Sequence, residues 1–299
     1  MTSTEKNSFE RKKQTEKGMQ RGAVHSPAIN GDVDSGIFSV GVITNLEDGF
    51  ACSFLEAVQE VCLAHDVLVN LAICHNSLEQ VAVVDKFVAK GIRNIIILGH
   101  DLNLDFNIFE NARSQGVNIV FFDRVIPGSF ADYVGLDNHD AITSIMNDAA
   151  RRGIESLIYA DISDQDVDST RERRNAFIEE CVKRGIKHSI FAVPKLSVDR
   201  YEPFKICRDF LARQGRLNGS GLICANDRIA MSIVNACPRY LRVYSIDGSP
   251  GAVQSGIISY RQPTGEMALT ALEALQRQLL NGYRCQAEKI RVKGELMRI

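Results

Sequence analysis

Apolar residues along this chain alternate between two rhythms. Continuous apolar runs such as IFSVGVIT (residues 37–44) and VLVNLAIC (67–74) read as strands buried on both faces. Between them the spacing changes to that of a helix: over 53–64, Phe54, Leu55, Val58 and Val61 or Cys62 share one face. The alternation continues with a helix at 78–90, a strand at 94–98, a helix at 106–114 and the strand VNIVFFD at 117–123. Short Gly, Asn and Asp punctuation separates these units, the pattern of a parallel sheet covered by helices.

A second series follows. It predicts helices at 140–152, 171–184, 200–214 and 228–236, interleaved with strands at 156–160, 188–193, 221–225 and 241–247. The chain therefore reads as two similar doubly wound halves. One further amphipathic helix, 264–280, and a strand at 289–292 come after them and must dock onto a half already built. Residues 1–36 lack apolar periodicity and end in PAINGDVDSG, so they read as a disordered polar arm.

A length of 299 residues is enough for about two domains, each with its own core. The 45% apolar and 24% charged residues are those of a globular protein, and no apolar run approaches a membrane span. The net charge of −2 provides no overall field for nucleic acid or an acidic membrane. The opening is polar, with six basic and three acidic residues over 1–22, and carries no export signal. Eight cysteines stand singly in apolar segments without CxxC spacing, as buried thiols do in a reducing compartment. These features predict a cytoplasmic protein with no membrane contact.

Catalytic signatures are absent: no phosphate loop, no GxGxxG after a strand, no HExxH and no GxSxG elbow. No two histidines have metal-ligand spacing, so neither an enzyme nor a metal or other cofactor is expected. Polar residues instead gather at the carboxyl ends of the strands, where open parallel sheets bind ligands. They are Asn45 and Asp48, Asp123 and Arg124, Asn226 and Asp227, and Asp247. Each alone could cap a helix or make a turn. Their recurrence in both halves favours a ligand cleft between them.

FFDR (121–124), VGLDN (134–138), STRERRNAF (169–177), CANDRIAM (224–231), IDGSPGAVQSG (246–256) and RQP (261–263) occur in one order, within a match that covers roughly 37–292. In this the chain resembles the type I periplasmic sugar-binding proteins and the effector domains of LacI-type transcription regulators. The resemblance implies two doubly wound parallel-sheet lobes joined by three crossovers, with a ligand cleft between them. The N-terminal lobe would be 37–138 plus 263–284, and the C-terminal lobe 139–261 plus 285–299. Carried over by motif, the ligand contacts would be Asp48, Phe50, Asp123, Arg124, Arg173, Asn226, Asp247 and Gln262. Carboxylate, amide and guanidinium groups suit a small polar ligand such as a monosaccharide, whose hydroxyls both donate and accept.

The chain departs from that pattern in three places. Ala51 stands where a second consecutive phenylalanine is usual, Val198 replaces an aromatic, and Ala176 replaces a glycine. Without a helix-turn-helix or a leader, the resemblance implies a cytosolic sensor of LacI type that acts on transcription through a separate DNA-binding partner or as a truncated regulator. The alternative is the solute-binding component of a sugar importer. Regulators of this kind pair their effector domains, so a homodimer is expected, with the valine stripes of 78–90 (Val81, Val84, Val88 and Val83, Phe87) as candidate contacts.

Overall fold

A computed structural model describes residues 36–37, 39–46, 49–99, 107–124, 131–162, 167–193, 201–214, 217–282 and 286–297. Residues 1–35 of the arm, Asp48 and Val198 lie outside them.

The first sheet contains β1 (Ser39–Thr44), β2 (Leu68–Ile73), β3 (Asn94–Ile97), β4 (Asn118–Phe122), β5 (Asp132–Leu136) and, from the end of the chain, β11 (Lys289–Val292). Their order is β11-β5-β4-β3-β1-β2, and every pairing is parallel. The second sheet has the order β12-β10-β9-β8-β6-β7. It is built from β6 (Ser156–Ile162), β7 (Lys187–Val193), β8 (Ser220–Cys224), β9 (Arg242–Asp247) and β10 (Ile258–Arg261), plus the antiparallel β12 (Glu295–Leu296). Both sheets are doubly wound, so the expected α/β class holds.

The helices follow the apolar stripes. They are α1 (Gly49–Ala64), α2 (Ser77–Ala89), α3 (Asn107–Ser114), α4 (Asn138–Arg151), α5 (Asp168–Arg184), α6 (Tyr201–Arg213), α7 (Asp227–Ile233), α8 (Pro250–Gln254) and α9 (Thr264–Asn281). α1 and α9 share one core with the first sheet, where Phe54, Val58 and Val61 meet Met267, Ala271, Leu272 and Leu275. The opposite face of that sheet packs on Val84 and Phe109. A single larger cluster, from Leu136 through Tyr260, forms the interior of the second lobe.

The chain crosses between the sheets after β5, after β10 and between β11 and β12. The last crossover corrects the boundary expected at 285. β11 pairs along its length with β5, from Lys289 with Tyr133 to Val292 with Leu136, and so belongs to the first sheet. Its Ile290 and Val292 add to the first core, and only β12 joins the second sheet. A four-residue strand carries no pattern that chooses between two half-built edges, which is why the sequence placed it wrongly.

Candidate ligand-binding cleft

Asp123 follows β4 with a φ of 59°, in the left-handed region that non-glycine residues rarely enter. Its N–H donates to the Val134 carbonyl at 2.9 Å, and its own carbonyl accepts from the Tyr133 hydroxyl at 3.2 Å. The Tyr133 ring lies across Gly135, where any Cβ would overlap the phenol oxygen, so the glycine of VGLDN makes room for the group that anchors Asp123. Arg124 donates from Nη1 to the Gly99 carbonyl at 3.1 Å, and its Nε stands 3.9 Å from Asp123 Oδ2.

Asp247 ends β9 with a φ of 137°. Gln262, in the second crossover, donates from Nε2 to Asp247 Oδ1 at 2.9 Å, and the Asp227 N–H donates to Oδ2 at 3.3 Å. Gln262 is buried, yet among the described residues its Oε1 has no hydrogen-bond partner. Asp227 holds this corner together. Its buried carboxylate accepts from the hydroxyls of Ser245 and Ser259 and from the Ser249 N–H, and Ser259 Oγ in turn accepts from Gly248 N at 2.9 Å. Gly248 must be glycine, since a Cβ there would press on the Arg261 backbone.

Arg173, on α5, is 4% exposed. Its Nε donates to Asn138 Oδ1 and its Nη1 to the Ala225 carbonyl, both at 2.8 Å, which leaves Nη2 uncommitted. Ala176 is itself buried on the same helix, where alanine is well accommodated. α5 also bridges toward the first lobe: Ser169 Oγ donates to Asp123 Oδ2 at 3.4 Å.

Asp123, Arg124, Asp247 and Gln262 thus stand at strand ends and crossovers, and Arg173 reaches from α5 to the Ala225 carbonyl just after β8. Asn226 and Phe50 behave differently. Asn226 caps α7, its Oδ1 accepting from Ile229 N at 2.9 Å. Phe50 is 9% exposed and belongs to the first core, its ring 6.4 Å from that of Phe122. Sequence reasoning did not single out Tyr133, Asn138, Glu172 or the positioning role of Asp227; the VGLDN, RER and CAND motifs contain the last three, and Tyr133 lies just before the first of them.

Paired parallel sheets, three crossovers and polar groups at the strand ends define a two-lobed binding-protein fold. Residues 147–298 match the family described as periplasmic binding protein-like domain, and the chain belongs to it. Three solved structures illustrate the likeness. A periplasmic solute-binding protein of an ABC transporter from Actinobacillus succinogenes, with bound D-allose, has a TM-score of 0.75 and 18% identity, covering 87% of this chain and 97% of that one. A LacI transcriptional regulator from a Rhodococcus species has a TM-score of 0.73 and 17% identity, covering 87% and 96%. The binding-protein component of an arabinose ABC transporter from a Shewanella species, bound to L-arabinofuranose, has a TM-score of 0.74 and 18% identity, covering 87% and 91%. No curated protein sequence matches this chain significantly.

Proposed function

We propose that the chain senses a monosaccharide or similar small polar ligand held between its lobes, as the effector domains of LacI-type regulators do. In this reading it is a cytoplasmic homodimer that acts on transcription through a separate DNA-binding partner. The carrying observation is the Asp247–Gln262 pair, in which a buried amide gives its N–H to the carboxylate while its Oε1 finds no donor among the described residues. A buried acceptor left unmade costs about 1–3 kcal/mol, and a ligand hydroxyl supplies the missing donor. Arg173 Nη2, Arg124 and the carboxylates of Asp123 and Asp247 complete a set that donates and accepts from both lobes. Asn226 adds its amide N–H, Asp48 belongs to the same proposal, and Phe50 supports the β4 end through Phe122.

The sugar-bound solute-binding proteins of the same fold favour a second reading, the binding component of a sugar importer. A thermal-shift screen of the purified chain with D-allose, L-arabinose, other pentoses and hexoses, sugar phosphates and nucleosides tests the ligand class. A ligand of the folded state raises the melting temperature in step with RT ln(1 + [L]/Kd). A shift with none of them removes the sugar reading, and recovery of the protein from a periplasmic fraction replaces the sensor with the importer component.

A further inference from the structure

The second lobe grips the first one residue before Arg173. Glu172, on α5, receives Arg291 of β11 on both oxygens, Nη1 on Oε2 at 2.7 Å and Nη2 on Oε1 at 2.6 Å. The pair joins a helix of the second lobe to a strand of the first sheet, in the bidentate geometry that makes arginine–carboxylate bonds strong and directional. Glu172 Oε2 also accepts from Asn138 Nδ2 at 2.9 Å, and Asn138 Oδ1 accepts from Arg173 Nε at 2.8 Å.

This chain of contacts has a polarity. If the Asn138 amide turned over, its oxygen would face a carboxylate and its NH2 a guanidinium, and both contacts would become repulsive. Asn138 is fully buried, so no water offers an alternative partner. The charge of Glu172 therefore sets the amide, and the amide sets Arg173. Burial pushes the Glu172 carboxyl upward, but hydrogen bonds from Arg291 and Asn138 hold it below its ordinary value, so it stays ionised.

We propose that Glu172 is the positioning residue for Arg173, and that its pair with Arg291 makes that positioning depend on the two lobes being together. The proposal rests on Arg173 being a ligand contact. When the lobes part, Glu172 loses Arg291 and keeps only Asn138, so its hold on the amide, and through it on Arg173 Nε, weakens while Arg173 Nη1 stays on the Ala225 carbonyl. Ligand grip and inter-lobe contact thereby become coupled.

The test uses the full chain, 15N-labelled, with the Arg173 Nε–H signal assigned by its loss in Arg173→Lys. In the wild type that signal is sharp and exchanges slowly with water. Glu172→Gln, nearly isosteric, is expected to speed its exchange by about tenfold or more, the change that corresponds to losing one charged hydrogen bond. Arg291→Gln, which leaves the Glu172–Asn138 contact, is expected to fall between the two. Titration calorimetry with D-allose and L-arabinose is expected to show sugar affinity falling in the same order, with the far-ultraviolet spectrum unchanged. An unaltered Arg173 signal in Glu172→Gln overturns the proposal whether or not a sugar binds. A loosened signal with undiminished sugar affinity overturns it too, because the role would then be only structural. If the wild type binds neither sugar, the ligand class fails while the Arg173 signal still decides the role of Glu172.

Discussion

Asp123 and Asp247 occupy matching places in the two sheets: each stands at the carboxyl end of a strand, and each holds a positive φ, 59° and 137°. Among the described residues only Asp66, in the turn after α1, shares this property outside glycine. Backbone held in sparsely populated regions costs about 1–3 kcal/mol per residue and persists where the surroundings over-determine it. Tyr133 and the Val134 carbonyl do this for Asp123, and the Asp227 corner does it for Asp247. Two strained aspartates at matching strand ends mark a candidate site whose geometry is maintained against local preference.

Replacing Asp247 separates the two roles. Asp247→Ala removes the carboxylate but keeps a Cβ at a φ that disfavours it, whereas Asp247→Gly removes the carboxylate and the strain together. Both variants are expected to lose ligand affinity by about 1.5–3 kcal/mol, typical of a charged hydrogen bond. The glycine variant is expected to melt higher than the alanine one. Equal melting temperatures in thermal denaturation would show that the backbone there carries no strain.

Arg173→Lys is expected to weaken ligand binding by a similar amount and also to lower stability. The residue is buried and serves two protein acceptors. A lysine cannot serve Asn138 Oδ1 and the Ala225 carbonyl with the same fork geometry. Calorimetry of ligand binding and of unfolding on the same variant reads both effects; a loss of affinity with no change in melting would show that those acceptors find other donors.

Phe50→Ala tests the aromatic wall implied by the family resemblance. The ring is enclosed by the first core and touches the Phe122 ring, so its removal is mainly a core truncation. A phenylalanine-to-alanine change in a core costs about 3–5 kcal/mol, and the expected result is a large drop in melting temperature with a smaller change in affinity. Affinity lost without any loss of stability would restore the stacking role.

How far the sequence could be read follows from the range of each interaction. Strands such as Asn94–Ile97 are buried on both faces and announce themselves as apolar runs. Short edge or crossover strands do not: Asp132–Leu136 begins with a charge and Ile258–Arg261 ends with one, and neither was singled out. Strand-end positions identified Asp123, Asp247 and their neighbours because position relative to a strand is local information. The wiring was not legible, since Glu172 and Arg291 are 119 positions apart and Asp227 reaches Ser259 across 32. The valine stripes of α2 were visible; in the fold Val84 is buried, and Val83, Phe87 and Val88 pack partly buried against the first-lobe core.

Acid should loosen the second lobe first. Burial pushes Asp140, Asp148, Glu172 and Glu180 upward, but hydrogen bonds overcome it and hold all four below their ordinary values of 3.8 and 4.5. The donors are Lys293 and Tyr260 for Asp140, Arg152 for Asp148, Arg291 for Glu172, and Lys183 with Arg184 for Glu180. All four lie on α4 and α5, which pack together. A carboxylate with a depressed folded-state value contributes stability above its unfolded value, and that contribution is lost as pH falls through the folded one. Melting temperature is therefore expected to hold down to about 4.5 and to decline below it, with amides of α4 and α5 exchanging before those of the first sheet. A melting temperature indifferent to pH below 3.8 would contradict this.

The homodimer prediction moves from the α2 stripes to the edge of the first sheet that no other described strand pairs. β2 ends that sheet, and its sequence LVNLAI has no charge and exposes Leu68, Leu71 and Ile73; Leu78 at the start of α2 is 80% exposed. An edge strand offers an unpaired row of N–H and C=O groups, which proteins guard with charges, prolines or a covering element unless the edge is meant to be joined. The comparable edge of the second sheet, β7, is guarded, carrying Lys187 and His188 in its first two positions. Six of the twelve large apolar residues exposed among those described fall between Leu46 and Leu78, a concentration that marks an association surface more than scattered exposure does. We therefore expect a dimer by light scattering in the micromolar range, converted to a monomer by Leu71→Lys combined with Leu78→Glu. Both side chains already face solvent, so the substitutions should leave the circular dichroism spectrum unchanged. A wild-type monomer at those concentrations, or a dimer that survives both charges, would assign the edge no role in self-association.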